Sequence, residues 1–265
     1  MIQSVDIKPA AVYFSGKPLR IIIPTASMKS ENFSRCIEKI SRSELPEGTI
    51  VSVVISSGPD FSFAKSINYA LSKIQNEDIL LLNDDCFVES HSIKNLIISI
   101  SERDGVVGGL LYYPNGKIQH NGGLLYFNPI TIFIKDLLNG APFNPFRGMW
   151  KAKKVHTKYV RAFHRSTRKS GKIDFVTGAF FFIPNKSFRN IGIMDENFVN
   201  GFEDSDYCLR AKKMGFDVRV EKTAEAIHEE HASLRDLPGN FIQNITVFNM
   251  KWSKASVIDL RKKGK

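Results

Sequence analysis

The run Asp78-Ile79-Leu80-Leu81-Leu82-Asn83-Asp84-Asp85-Cys86-Phe87 sets the frame for everything around it. Four consecutive apolar side chains leave no polar face, so the segment has to be covered on both sides, as a strand inside an α/β sheet is. The apolar run then stops at an amide and two carboxylates. This places them beyond a strand end, where open α/β sheets keep their ligand crevice. Adjacent carboxylates behind an amide suit a hard divalent cation that also holds phosphate oxygens. Taken alone, the same three residues also suit an acidic turn that caps the next helix.

The segments on either side repeat one pattern. Residues up to about Lys17 have no clear periodicity and read as a lead-in, and Leu19 to Ile23 then forms a β-branched strand ended by Pro24-Thr25. Phe33, Cys36, Ile37 and Ile40 fall at helical spacing, Ile50 to Ile55 makes a second strand, and Ile67, Ala70, Leu71 and Ile74 make a second apolar stripe. Strand, helix, strand, helix, strand with short connections predicts a parallel sheet covered by helices. A third helix carries Ile93, Leu96, Ile97 and Ile100, with Ser90 expected as its cap. Val106 to Tyr113 is a further strand, with Gly108-Gly109 marking close approach of a neighbouring backbone or ligand, and Pro114 to Lys117 is a hairpin-like turn.

Beyond this turn the alternation changes. Ile173 to Ile183 is expected as one long apolar strand, followed by a short helix after Pro184. Glu203, Asp204 and Asp206 open a helix that stops at Gly215, so their charges sit at the positive end of its dipole. Val218 to Val220 reads as a short strand. Phe241, Ile245, Phe248 and Trp252 line one face of a C-terminal helix that leads into a basic tail.

A chain of 265 residues with 43% hydrophobic content supports one substantial core, and nothing in it calls for a second domain. No N-terminal signal pattern or membrane-length apolar run appears, which predicts a cytoplasmic protein or one on the cytosolic face of a membrane. Three scattered cysteines, Cys36, Cys86 and Cys208, suit a reducing compartment and thiols in the core or at its boundary. The net charge of +10 is concentrated: ten cations from Arg147 to Lys172 lie in a stretch with no carboxylate between Asp136 and Asp174. Phe143, Phe146, Met149, Trp150, Tyr159 and Phe163 interleave with them. Such a segment fits an anionic membrane surface, a phosphorylated acceptor or a lid over a donor site, and equally a solvated loop.

Together, IIIPT (Ile21 to Thr25), FAKSIN (Phe63 to Asn68), LLLNDD, VTGAFFFI, MDENF, EDSDYCLR (Glu203 to Arg210) and IHEEHAS resemble glycosyltransferase family 2 over residues 19 to 235. That resemblance implies an inverting, hexosyltransferase-type enzyme of the GT-A fold: a Rossmann-like α/β domain with a mostly parallel central sheet flanked by helices. One domain spans 1–265, with a nucleotide-sugar-binding half at 19–113 and an acceptor and catalytic half at 114–235. The latter carries a basic insertion at about 130–172, and 236–265 forms the C-terminal helix and tail. Carried over by position, Asp204 is the catalytic base and Glu203 contacts the acceptor or orients the loop. Pro24, Thr25, Asn68, Asn83, Asp84, Asp85 and Gly178 line the donor, and Asp85 and His228 hold Mn²⁺ or Mg²⁺. Asn83 stands where relatives have an Asp. The base-reading Asp usual after the second strand is absent, which leaves Asp60 as the carboxylate nearest that position.

The implied partners are a nucleotide-diphosphate sugar and a glycan or lipid-linked acceptor, with peripheral contact to anionic membrane and no nucleic acid. Two other readings remain. A two-metal nuclease would use Asp84, Asp85, Glu203, Asp204 and Asp206 with the basic stretch along a phosphate backbone. A binding module would keep the nucleotide-sugar pocket without turnover. His231 reads as structural, and His120 faces either the acceptor cleft or a packed turn.

Overall fold

A computed structural model describes residues 2–56, 61–127, 160–169, 171–229 and 238–263. Asp60, His231 and the part of the basic insertion that holds Phe143, Phe146, Met149, Trp150 and Tyr159 lie outside the described residues, as does the side chain of Phe241.

The elements run in the order β1 (Gln3–Ile7), β2 (Val12–Phe14), β3 (Leu19–Thr25), α1 (Glu31–Ser41), β4 (Glu44–Pro46), β5 (Ile50–Ile55), α2 (Phe63–Leu71), β6 (Asp78–Leu82), β7 (Cys86–Val88), α3 (Ser92–Ile98) and β8 (Asp104–Tyr112). The second half continues with β9 (Ile118–His120), β10 (Gly123–Tyr126), β11 (Arg161–His164), β12 (Phe180–Ile183), α4 (Asn185–Ile191), α5 (Glu203–Lys213), β13 (Asp217–His228), α6 (Pro238–Lys251) and α7 (Lys254–Lys263).

The main sheet has the order β1-β5-β3-β6-β12-β8-β13-β7, with β9 paired to β8. Its central strands explain the unbroken apolar runs. Ile22, Leu81 and Phe181 face a core built with α2 and α5, while Ile21, Leu80, Leu82, Phe180 and Phe182 face one built with α1 and α3. Successive side chains on a strand point to opposite faces, so a strand covered on both faces carries apolar residues at successive positions, as β12 does. Phe33, Cys36 and Ile40 bury the inner stripe of α1, whose first turn is capped by Ser30 Oγ accepting from Phe33 N–H. All three cysteines are buried free thiols.

The sheet is mixed where it matters for function. β5, β3, β6, β8 and β13 run one way, and β1, β12 and β7 run the other. The parallel expectation therefore holds for the β5-β3-β6 unit but not for β12, which enters antiparallel between β6 and β8. Its amino end thus meets the carboxyl ends of β3 and β6, and Asn83 N–H donates to Ala179 O at 3.1 Å.

Several sequence expectations are corrected. The lead-in contains β1, an antiparallel edge on β5, and β2, which pairs with β4. The strand expected over Ile173 to Ile183 is regular only from Phe180, because residues 173–179 turn away to bridge Gly123 and approach α5. The short strand at Val218 is the start of twelve-residue β13, which is long because it pairs with β8 and then, past a register shift, with β7. Ser90 does not cap α3: His91 stands at that position with no side-chain cap, and Ser92 Oγ bonds Glu225 O instead. Gly109 makes room for a ring rather than a ligand, since a Cβ there would lie 2.2 Å from Phe180 Cδ1. The C-terminal helix is two helices, α6 and α7, broken at Trp252-Ser253.

Candidate active site

The carboxyl end of β6 delivers Asn83, Asp84 and Asp85 into the crevice. The antiparallel β13–β7 pairing, with His228 opposite Cys86, carries His228 to the same place from far along the chain. His228 Nε2 lies 3.2 Å from Asp85 Oδ1 and 3.4 Å from Asn83 Nδ2. Glu229 N–H closes the corner by donating to Asp85 O at 3.1 Å.

Gln119, a residue the sequence did not single out, decides which imidazole nitrogen is available. Its Nε2 donates to His228 O at 3.2 Å, which fixes the amide so that Oε1 faces His228 Nδ1 at 2.8 Å. His228 Nδ1 therefore carries a proton, and Nε2 is the ring nitrogen that faces Asp85. A carboxylate oxygen and an imidazole nitrogen 3.2 Å apart are held together by a shared proton or by a cation between them. Two ligand atoms on adjacent corners of an octahedron with bonds near 2.1 Å lie about 3 Å apart, so the pair fits one edge of a hard divalent site. Among the described residues no three His, Cys, Asp or Glu side chains gather as a metal group. Asp85 and His228 thus present two donor atoms at a spacing that fits one hard divalent cation. Exchanging Gln119 for Leu is expected to weaken any divalent-ion binding at this edge about 10–100-fold, as loss of an orienting partner does. An unchanged Mn²⁺ requirement in a calorimetric titration would refute this role.

Beside that edge, Thr25 Oγ1 donates to Asp84 Oδ2 at 2.6 Å. Burial, with a smaller contribution from the Asp85 charge, raises the Asp84 carboxyl above its ordinary range against this hydrogen bond. Pro24, Phe61, Phe63, Asn83, Asp84 and His228 line one part of a cleft of about 210 Å³, and Thr177, Gly178, Ala179, Asn200, Glu203 and Asp204 line the rest.

Asp204 reaches the cleft from the first turn of α5. It is not a helix cap: the capping position is Phe202, with no side-chain cap bond. Instead Gly178 N–H donates to Asp204 Oδ2 at 3.2 Å and Ser205 N–H to Oδ1 at 2.6 Å, while Glu203 Oε2 accepts from Gly201 N–H. The approach to α5 is strained, with positive φ at Asn200 (52°) and Phe202 (70°), each costing on the order of 1–3 kcal/mol. Two amides hold it there. Asn200 Oδ1 accepts from Phe63 N–H at 2.8 Å, and Asn244 brackets Val199 with bonds to its N–H and C=O. Burial raises both acidic groups, and Glu203, which also feels the Asp204 charge, is pushed up to about 7. The helix dipole and the two N–H donors favour charge on Asp204, so near neutral pH the shared proton resides on Glu203.

Three sequence assignments are not brought to this cleft. The Asn68 amide is held elsewhere: it donates to Met194 O and Glu196 Oε1 and accepts from Met194 N–H, which makes it a clamp on the MDENF turn and not a donor contact. Asp206 is fully buried and bound by Arg210, Trp252 Nε1 and Lys251, so the nuclease reading loses one of its carboxylates. His120 is buried and supports the wall of the cleft from behind. Its Nε2 accepts from Thr177 N–H at 3.2 Å and its Nδ1 meets His164 Nδ1 at 2.7 Å. Burial first, then His164, lowers its pKa well below the ordinary value, consistent with a neutral ring.

A family model described as glycosyltransferase like family 2 matches residues 17–238. The chain belongs to that family. Among curated relatives it is 25% identical over 214 residues to the uncharacterized protein y4gI of Sinorhizobium fredii, covering 78% of this chain and 22% of that protein. It is 27% identical over 177 residues to the O-antigen biosynthesis protein RfbC of Myxococcus xanthus, covering 66% of this chain and 12% of that one. The chain thus spans less than a quarter of the length of these relatives. Among solved structures the family fold recurs in GalNAc-T7 with UDP, GalNAc and Mn²⁺, at a TM-score of 0.56 and 12% identity over 87% of this chain and 47% of that one. It recurs also in S. aureus TarS, at a TM-score of 0.51 and 11% identity over 91% and 42%. The fold is therefore GT-A, an α/β glycosyltransferase fold.

Proposed function

We propose that the chain is the catalytic unit of a metal-dependent, inverting transferase that moves a sugar from a nucleoside diphosphate to a hydroxyl of a glycan or lipid-linked acceptor in surface polysaccharide synthesis. One observation carries the reading: His228, which meets Asp85, and the amide-held Asp204 line one cleft together with Asn83, Asp84 and Gly178. The name of RfbC supports the glycan class, and the Mn²⁺ in the GalNAc-T7 structure supports a divalent ion.

Asp85 and His228 would hold Mn²⁺ or Mg²⁺, which offsets the charge that develops on the departing diphosphate. Pro24, Thr25, Asn83 and Asp84, at the ends of β3 and β6, bind the nucleoside and diphosphate side of the donor. Asp204 takes the proton of the attacking hydroxyl while Gly178 N–H keeps its carboxylate aimed, and attack from the face opposite the diphosphate inverts the anomeric centre in one displacement. Glu203, holding Gly201 N–H, keeps the strained loop in register with the acceptor. In this reading residues 19–113 form the donor half and 114–235 the acceptor half.

Calorimetric titration of the chain with UDP, GDP and dTDP tests the proposal. One of them is expected to bind with Mn²⁺ or Mg²⁺ and to lose that binding in EDTA. No binding of any of the three with either ion would overturn the reading.

A further inference from the structure

Helix α6 begins at Pro238, where the family match ends, yet its contacts reach the catalytic segment. Asn244, Phe248 and Trp252 are spaced four apart and so share one face, and the Trp252 N–H bond to Phe248 O at 2.8 Å carries that spacing past the helix end. The three side chains meet the catalytic segment in order. Asn244 brackets Val199, accepting from its N–H at 2.8 Å and donating to its C=O at 2.9 Å. The Phe248 ring packs on that of Phe202 with centroids 5.1 Å apart. Trp252 Nε1 donates to Asp206 Oδ1 at 2.8 Å. Glu203 and Asp204 lie between the second contact and the third.

Two features separate this arrangement from a helix that only covers the core. Ile245, Phe248 and Trp252 already supply an apolar cover, whereas Asn244 is a buried amide that binds both polar groups of one backbone residue. A buried amide is costly unless bonded, and once bonded it fixes one register, which apolar contact alone does not. Gly201 makes room for it: its φ is 150°, and a Cβ there would stand 3.2 Å from Asn244 Nδ2. The second feature is that the gripped segment is the strained one. Left-handed backbone at a residue as bulky as Phe202 persists only where its surroundings hold it, and here the Phe248 ring does so.

We propose that α6 positions the catalytic base: Asn244, Phe248 and Trp252 hold Val199 to Asp206 in the register that aims the Asp204 carboxylate at Gly178 N–H. That Asp204 acts as a base rests on the transferase reading; the register does not. None of the three side chains touches the reacting groups, so each is a positioning residue.

The test follows the Gly178 amide by NMR in the full chain labelled with ¹⁵N-glycine, because that N–H donates to Asp204 Oδ2 and its signal should respond when Asp204 ionises. In Asn244→Ala the Gly178 N–H is expected to exchange with water about tenfold faster than in the parent and to lose its response to Asp204, as removal of one hydrogen bond implies. Phe248→Leu, which keeps an apolar filling under Phe202, should speed that exchange about threefold and decides the matter if Asn244→Ala does not melt cooperatively. Ile245→Val is the control. It trims a buried side chain of the same helix, so it should lower the melting temperature by a few degrees and leave Gly178 as in the parent. Each variant should bind nucleotide with Mn²⁺ as the parent does. Parent-like Gly178 behaviour in both Asn244→Ala and Phe248→Leu would overturn the proposal, and so would an equal change in Ile245→Val. A parent that binds no nucleotide while Gly178 responds as expected would sink the transferase reading and leave the role of α6 standing.

Discussion

Asp204→Asn is expected to bind nucleotide diphosphate as tightly as the parent while kcat falls about 10²–10⁴-fold, the range a positioned general base contributes. The amide keeps the size of the carboxylate, and its one oxygen can still accept from Gly178 N–H at the loss of the Ser205 N–H bond, so the cleft wall stays in place while the proton acceptor is lost. A variant that transfers sugar at the parent rate would remove Asp204 from that role. The pH profile offers a second reading of the same group. Burial raises the Asp204 carboxyl, so activity should fail on the acid side at a pH above the ordinary carboxylate range, and because Glu203 keeps its proton while Asp204 ionises, Glu203→Gln should leave that limb in place. Stability follows the opposite course. A carboxyl whose folded pKa is raised holds its proton longer in the folded chain, so its contribution is full below about 4.5 and declines as pH rises toward about 7. Asp204→Asn removes one of these charges and should melt above the parent at pH 8, a cost the active site places on the fold.

Removal of either metal-edge residue is expected to abolish divalent-dependent nucleotide binding. For the parent, nucleotide at a hundred times its Kd stabilises the fold by about 2.7 kcal/mol, which for a chain of this size raises Tm by about 5–10 °C. His228→Ala and Asp85→Asn should each lose most of that shift in Mn²⁺ while keeping a cooperative transition. The reason is geometric: the edge consists of one oxygen and one nitrogen 3.2 Å apart, and neither alone chelates. A full Mn²⁺-dependent shift in His228→Ala would show that the imidazole, with its tautomer set by Gln119, is structural.

Asp206 is the third acid in the first turn of α5, and it serves the fold. Its carboxylate anchors α6 and the Trp252 break through Trp252 Nε1 and Lys251, which leaves Glu203 and Asp204 free to face the cleft one turn earlier. Charge at three positions within four residues thus divides into two cleft-facing acids and one buried anchor.

The alternation of β3, α1, β5, α2 and β6, the place of Asn83 to Asp85 beyond a strand end, and the acidic first turn of α5 were all legible in the amino-acid order. Each depends on contacts within one element or between neighbours in sequence, where a period of two or 3.6 records which face is buried. Only the tertiary structure decided that β12 enters antiparallel and brings Gly178 to Asp204, that β13 runs on past Val220 to pair with β7 and set His228 beside Asp85, and that Gln119 rather than a nearer residue orients the imidazole. It likewise took Asn68 out of the donor site and made it a clamp on Met194. Such pairings join residues tens to more than a hundred positions apart through hydrogen bonds that any amide or carbonyl can make. Local periodicity carries no record of them, because the partner is chosen by where the sheet has folded to and not by the residues alongside.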